Sequence, residues 1–389
     1  MLALGIASLL LTQVQSKTIP PIDWNNLPYQ NKVKEMADGW RSKYHLPGVW
    51  CAFIKDGKVV ACVATGVKNV ETAAPALVTD YLGVGSVSKV ITDTMIAELV
   101  ARGVISFETT VAEVFPELAK TYPDSPVLRA SLRQLVTHTA GLTKDVVFDV
   151  SNKADGIAWR YDKVRNALAS PSTVRPGTRF EYNNWDPVMA TAMVERAIQA
   201  KATEYGASYE DWLSGSLGKA IGLSNPKMLD YSKDPGKEEV QPHYIEPNGS
   251  SVLEAVTMVP NHRLRRESDV YATGGSCRVT LTDLCSFVLS TITNAAGLPA
   301  NEYRETISAT GLPSDPTSSA GWAVDANGWL HHSGSTGRGE YCLVCVIPEA
   351  KRATILYVNC GYTPGTGVRN NSGMSPLLND FHHLEVNAH

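Results

Sequence analysis

The sequence predicts an α+β protein: an antiparallel sheet flanked by helices, with a mostly helical inserted domain. Helix-like and strand-like runs segregate along the chain rather than alternate, which implies helices packed on an antiparallel sheet. The strand-like runs lie toward both chain ends, so the sheet domain is expected from 17–103 and 261–389 and the helical domain from 104–260. With 389 residues, 43% hydrophobic and 19% charged, the chain is long enough for two domains or one with a large insertion.

The elements follow in order. "MLALGIASLLLTQVQSK" holds an apolar run from Leu2 to Leu11, too short to span a bilayer, then small residues at Val14 and Ser16. Residues 1–16 are therefore expected to be a cleaved export signal, although its positive flank is missing; a buried first helix is the other reading. A secreted or periplasmic protein with no membrane segment after cleavage would result. "YQNKVKEMADGWRSKYHLPG" reads as an amphipathic helix stopped by Pro47-Gly48. "CAFIKDGKVVAC" reads as a hairpin around Asp56-Gly57, in a register that sets Cys51 opposite Cys62, as two buried thiols or a bridge. A helix follows from Ser86, burying Val87, Val90, Ile91, Met95, Ile96, Leu99 and Val100. Helix-like "SLRQLVTHTAGL", "VMATAMVERAIQ" and "YEDWLSGSLGKAIGL" are joined by loops such as "ASPSTVRPGTRF". After a helix at "TLTDLCSFVLSTIT", strands are expected at "GWAVD", "GWLHHSG", "EYCLVCVI" and "ATILYVN", and a last helix near "SPLLNDFHHLE".

Several function classes are disfavoured. A net charge of −4 and a pI near 6.2 give no basic surplus for nucleic acid or an anionic membrane. Seven cysteines are too scattered for a disulfide scaffold, and Cys342 and Cys345 point to opposite faces of one strand. His331–His332 and His382–His383 lack carboxylates at metal-ligand spacing, so no metal or cofactor is expected. The sequons at Asn248 and Asn370 read as loop signals, and "HRLRRE" as a surface loop. There is no Gly-x-Ser-x-Gly elbow and no P-loop.

What remains is a serine with a lysine three residues on. A nucleophilic serine needs a base, and a lysine can serve where dry surroundings disfavour the ammonium. Ser86 and Lys89 share one helix face, and the helix N-terminus favours negative charge at Ser86. Ser-x-x-Lys also occurs at Ser216–Lys219 and Ser224–Lys227, but only Ser86 follows a Gly-rich strand end, "YLGVG", and opens a long apolar helix. Alone, such a match reads as a cap plus a solvated lysine. Its company changes that: Tyr182-x-Asn184 in "RPGTRFEYNNWD" supplies a phenol and an amide, and His332-Ser333-Gly334 in "WLHHSGSTG" supplies a strand that substrate can approach.

With these motifs the chain resembles the serine β-lactamase and penicillin-binding-protein superfamily, specifically its class C-like branch of esterases, DD-peptidases and D-aminopeptidases. "GSVSK", "LRQLVTHTAGL", "RPGTRFEYNN", "YATGG" and "HHSGSTG" match its landmarks in order, from about Leu46 to Asn359. The resemblance implies a β-lactamase/transpeptidase-like fold. It implies Ser86 as nucleophile, Lys89 as proton acceptor, Tyr182 as proton shuttle and Asn184 as substrate orienter. His332, Ser333 and Gly334 would form one wall, and the N–H groups of Ser86 and Ser335 an oxyanion hole. His332 stands where a typical β-lactamase has lysine, which lowers the expectation of efficient β-lactam turnover; Arg338 is a candidate replacement for that charge, or a solvated turn residue. His138 in "THTAGL" reads as a satisfied structural histidine. The expected activity is carboxylic ester hydrolysis, with β-lactam, D-peptide or D-amino-acid amide substrates as alternatives. An acyltransferase shares the same acyl-enzyme. The reading from another class is a catalytically inactive assembly or binding protein, which would be expected to have lost Ser86, Lys89 or Tyr182. The expected partner is a small ester, amide or β-lactam, and the oligomeric state is left open.

Overall fold

The computed structural model describes residues 19–44, 46–142, 155–170, 174–228, 240–247, 253–257, 273–308, 312, 321–335 and 339–362. The export signal, the sequons, "HRLRRE", Arg338 and the last expected helix lie outside the described residues. A helix α1 (Gln30–Lys43) leads into the hairpin β1 (Gly48–Lys55) and β2 (Lys58–Asn69), followed by the short β3 (Ala74–Pro75) and β4 (Tyr81–Gly83). Asp56 and Gly57 both adopt positive φ, 53° and 69°, as the two-residue turn between right-twisted strands requires. The strand register departs from expectation. Lys55 pairs with Lys58 and Ile54 with Val59, but Phe53 pairs with Ala61, so Val60 is an extra residue. The bulge sets Cys51 against Val63 and Cys62 against Ala52. The two cysteines therefore sit in different cores, Cys51 under α1 and Cys62 on the other face of the sheet, and all seven cysteines are free thiols. The bulge is held from outside: Val60 O accepts the Tyr29 N–H at 3.0 Å, just before α1.

The helix α2 spans Val87–Ala101. Every residue from Val87 to Leu99 is buried, so this is a central helix buried all round rather than one presenting a single apolar stripe. Val100, expected inside, is half-buried. The next segment forms α3 (Val111–Val114), α4 (Pro116–Thr121), α5 (Leu132–Val136), α6 (Gly156–Ala169), α7 (Trp185–Lys201), α8 (Tyr209–Ser214) and α9 (Ser216–Ala220). Capping boxes open α3, α5 and α8, each with a Thr or Ser hydroxyl and the side chain three residues on exchanging bonds with backbone N–H groups. This stretch also holds strands not read from the sequence: β5 (Lys227–Met228) and the hairpin β6 (His243–Pro247) and β7 (Leu253–Thr257). Asn248-Gly249 between two short β-branched or aromatic runs was the available signal.

The last part returns to the sheet with β8 (Cys277–Thr280), α10 (Leu281–Thr293), α11 (Ala300–Ile307), β9 (Ala323–Val324), β10 (Leu330–Gly334), β11 (Tyr341–Ile347), β12 (Arg352–Val358) and β13 (Cys360–Tyr362). The main sheet runs β3-β2-β1-β12-β11-β10-β9, antiparallel throughout, so strands from both chain ends meet where β1 pairs with β12. Smaller sheets are β4-β8-β5 and β13-β6-β7. One face of the main sheet packs Val49, Cys51, Val63 and Leu356 against Val33, Ala37 and Trp40 of α1. The other packs Trp50, Ile54, Val344 and Ile355 into a larger core with α2, α7 and α10.

Candidate active site

Ser86 opens α2 without doing what an N-terminal serine ordinarily does. Its backbone is already helical, φ −65° and ψ −10°, and its hydroxyl makes no cap bond to the first turn. The hydroxyl instead accepts a hydrogen bond from Lys89 Nζ at 3.2 Å, one turn along the same face. Lys89 is fully buried. Its Nζ also donates to Asn184 Oδ1 at 2.7 Å and Gly274 O at 2.8 Å, and the Tyr182 ring centroid lies 4.7 Å from Nζ. Asn184 immediately precedes α7 and is exposed, which leaves its NH2 open to a bound molecule. Gly274, in the turn before β8, was not foreseen as a partner of Lys89; "YATGG" was the visible signal.

The inner end of β10 closes against this helix start because two residues have no side chain. A Cβ on Gly334 would fall 2.0 Å from Val84 O and 2.6 Å from Ser86 N. A Cβ on Gly85, at φ 53°, would fall 2.5 Å from Ser335 N. The backbone around Ser86 and that around Ser335 thus pack directly against each other. Strand alternation puts His332 and Gly334 on the inner face of β10, where both are buried. Ser333 projects from the opposite face, exposed, and hydrogen bonds with Tyr341, so the wall on the Ser86 side is made by His332 and Gly334.

The titratable groups near Lys89 are biased toward neutrality. Burial, helped by the Lys89 charge, pushes His332 down to about 3, so its imidazole is uncharged at neutral pH. Tyr182 lies between this ring, 6.1 Å away centroid to centroid, and His138, 4.7 Å away. His138 is likewise pushed down to about 3 by burial and by Lys89, and its Nδ1 lies 2.9 Å from Asp186 Oδ2. Burial raises Asp93 and Asp186 well above the usual carboxylate range. The Cys51, Cys277 and Cys342 thiols are also pushed up by burial, which disfavours thiolate chemistry. Among the described residues no three His, Cys, Asp or Glu side chains cluster to hold a metal ion. The other Ser-x-x-Lys pairs lack this setting: Ser216 and Lys219 are both exposed, Ser224 binds Asp283, and Lys227 lies over the Tyr81 ring.

The family model described as Beta-lactamase matches residues 30–375. Penicillin-binding protein 4 of Amycolatopsis lactamdurans is 27% identical over 197 residues, 50% of this chain and 48% of that protein. This chain therefore aligns with about half the length of that relative. In three dimensions the chain is similar to D-amino acid amidase from Ochrobactrum anthropi SV3, with TM-score 0.66 and 16% identity, over 91% of this chain and 99% of that one. A class C beta-lactamase superposes with TM-score 0.64 and 17% identity, over 86% and 92% of the two chains.

Proposed function

Because the chain belongs to the beta-lactamase family, we propose that it is a serine hydrolase that cuts carboxylic esters through an acyl-enzyme on Ser86. The supporting observation is the Ser86 hydroxyl, free of any capping role, hydrogen-bonded at 3.2 Å to a fully buried lysine. In this reading Lys89 acts as the neutral amine, its two N–H bonds directed at Asn184 Oδ1 and Gly274 O. As Ser86 Oγ attacks the ester carbonyl, the hydroxyl proton passes to the Nζ lone pair. Negative charge develops on the carbonyl oxygen and is met by the N–H groups of Ser86 and Ser335. Tyr182 protonates the departing alkoxide as the C–O bond breaks, and Lys89 restores the phenol proton. Asn184 holds the acyl part through its NH2. Water then attacks the acyl-enzyme, gives its proton to the Tyr182–Lys89 pair, and Ser86 leaves with a proton returned. His332 favours esters over β-lactams, since a neutral imidazole offers no fixed cation to a β-lactam carboxylate.

Export is proposed with this reading, for a substrate met outside the cytoplasm; amino-terminal sequencing of the mature protein tests cleavage after residue 16. Among the described residues no helix is long and apolar enough to cross a membrane. A panel of p-nitrophenyl esters, nitrocefin and D-alanyl anilides, with the parent protein and Ser86→Ala, tests the activity. Ester turnover that falls by about 10⁴-fold or more in Ser86→Ala is expected, from the losses seen when a covalent nucleophile is removed. Nitrocefin or anilide turnover matching that of the esters overturns the ester preference; no turnover of any substrate by folded protein favours a non-catalytic role.

A further inference from the structure

Tyr182 is half-buried, and its ring is held by more than its own backbone. The segment before it is pinned to the turn after α5, where Glu181 N–H donates to His138 O at 2.8 Å. The His138 ring then packs on the Tyr182 ring, centroids 4.7 Å apart and planes at 52°. Phe180 meets the same imidazole edge-on, 6.0 Å away. His138 adopts φ 55°, a conformation rare for a residue with a side chain and more often taken by His, Asn and Asp.

The imidazole is anchored at its far end. Asn183 Oδ1 accepts the Trp185 and Asp186 N–H groups, at 2.9 and 2.8 Å, so its NH2 faces Asp186 Oδ2 at 2.7 Å. In the tautomer protonated on Nδ1, His138 donates to that same Oδ2. Asp186 is fully buried and its Oδ1 has no hydrogen-bond partner, an arrangement that suits a carboxylic acid with its proton on Oδ1. Asp186 thereby fixes the rotation of the imidazole, and the imidazole fixes one side of the phenol that faces Lys89.

We propose that His138, anchored by Asp186, is a positioning residue for Tyr182, and that it sets how well the protein protonates a poor leaving group. The proposal rests on the acyl-enzyme reading above. The step it governs is proton donation: the C–O bond to the leaving group breaks with its electron pair going to oxygen, Tyr182 O–H supplies the proton, and Lys89 returns the proton taken from Ser86. A p-nitrophenolate departs without that proton, whereas an alkoxide requires it.

The test compares kcat/KM, which reports steps through acylation, for p-nitrophenyl and ethyl esters of one acid. Two variants are used. His138→Asn tolerates the positive φ and keeps a donor toward Asp186 but removes the ring; Asp186→Ala removes the acceptor that fixes the imidazole. Both should hold p-nitrophenyl ester turnover within about 3-fold of the parent while ethyl ester turnover falls about 30-fold or more, within the range general acid catalysis contributes. Thermal unfolding identifies a variant that does not fold, and the other then carries the test. Equal losses on both esters, or no loss on either, overturn the positioning role. A parent protein that turns over neither ester and takes no fluorophosphonate on Ser86 overturns the hydrolase reading, and the positioning role with it.

Discussion

At the scale of single residues, the site depends on two absences of side chain as much as on the groups present. Gly334 lets β10 lie against the Ser86 turn, and an alanine there would need Val84 O and Ser86 N, at 2.0 and 2.6 Å from its Cβ, to move. Gly334→Ala is expected to lower kcat/KM by about 10²-fold or more, the scale that an ångström of misplacement costs. Substrate kinetics beside thermal unfolding separate that loss from global destabilisation. His332 gives a second expectation. Because it is held down to about 3, the kcat/KM profile from pH 5 to 8 should carry no inflection of its own, and His332→Asn should leave the shape of that profile unchanged. A step near pH 6.5 that vanishes in the variant would show a charged, titrating imidazole instead. Ser86 and Lys89 were legible because helical spacing puts them on one face, and Tyr182 and Asn184 through a short motif. The contacts of Gly274 with Lys89 and of His138 with Tyr182 were not, since they join residues distant in sequence and no local pattern encodes them.

At the scale of elements, α2 shows what pattern reading captures and what it loses. The apolar spacing identified the helix, but burial of Lys89, Asp93 and Glu98 on its remaining faces comes from α7 and the sheet closing around it. Such a helix has no face on which truncation is cheap. Ile91→Ala, at a fully buried position facing the main core, is expected to cost about 2–5 kcal/mol, measured by urea unfolding; a cost below about 1 kcal/mol would mean that the surrounding core collapses to fill the space. The β1–β2 hairpin makes the converse point. Asp56-Gly57 determined the turn, yet the extra residue at Val60 shifted the pairing by one and separated Cys51 from Cys62. The bulged Val60 is bound from outside the hairpin, by Tyr29, and turn chemistry carries no trace of that contact.

At the scale of the whole molecule, the antiparallel sheet flanked by helices was legible because strand-like runs gathered at the two chain ends; the β6–β7 hairpin was not, being short and set among helices. His243, the first residue of β6, ties that hairpin to the main body. Its Nε2 accepts the Val70 N–H at 3.2 Å and its Nδ1 faces Asn359 O at 3.1 Å, so the neutral ring satisfies both partners. Burial is the main reason its pKa falls to about 4 from 6.5. The unfolded chain therefore takes up this proton below pH 6.5 while the folded protein resists until about pH 4, and stability drains away as pH falls through that window. The loss totals about 3 kcal/mol for this group. His243→Asn should flatten the stability profile between pH 6.5 and 4 relative to the parent, whatever its cost at neutral pH; parallel profiles would contradict this. The central claim, that chemistry is concentrated on one hydroxyl beside one buried amine, is tested most directly by mass mapping of a fluorophosphonate adduct on the folded protein. The expected result is a single adduct on the peptide containing Ser86, lost in Ser86→Ala; an adduct on another residue, or one that persists in that variant, would contradict it.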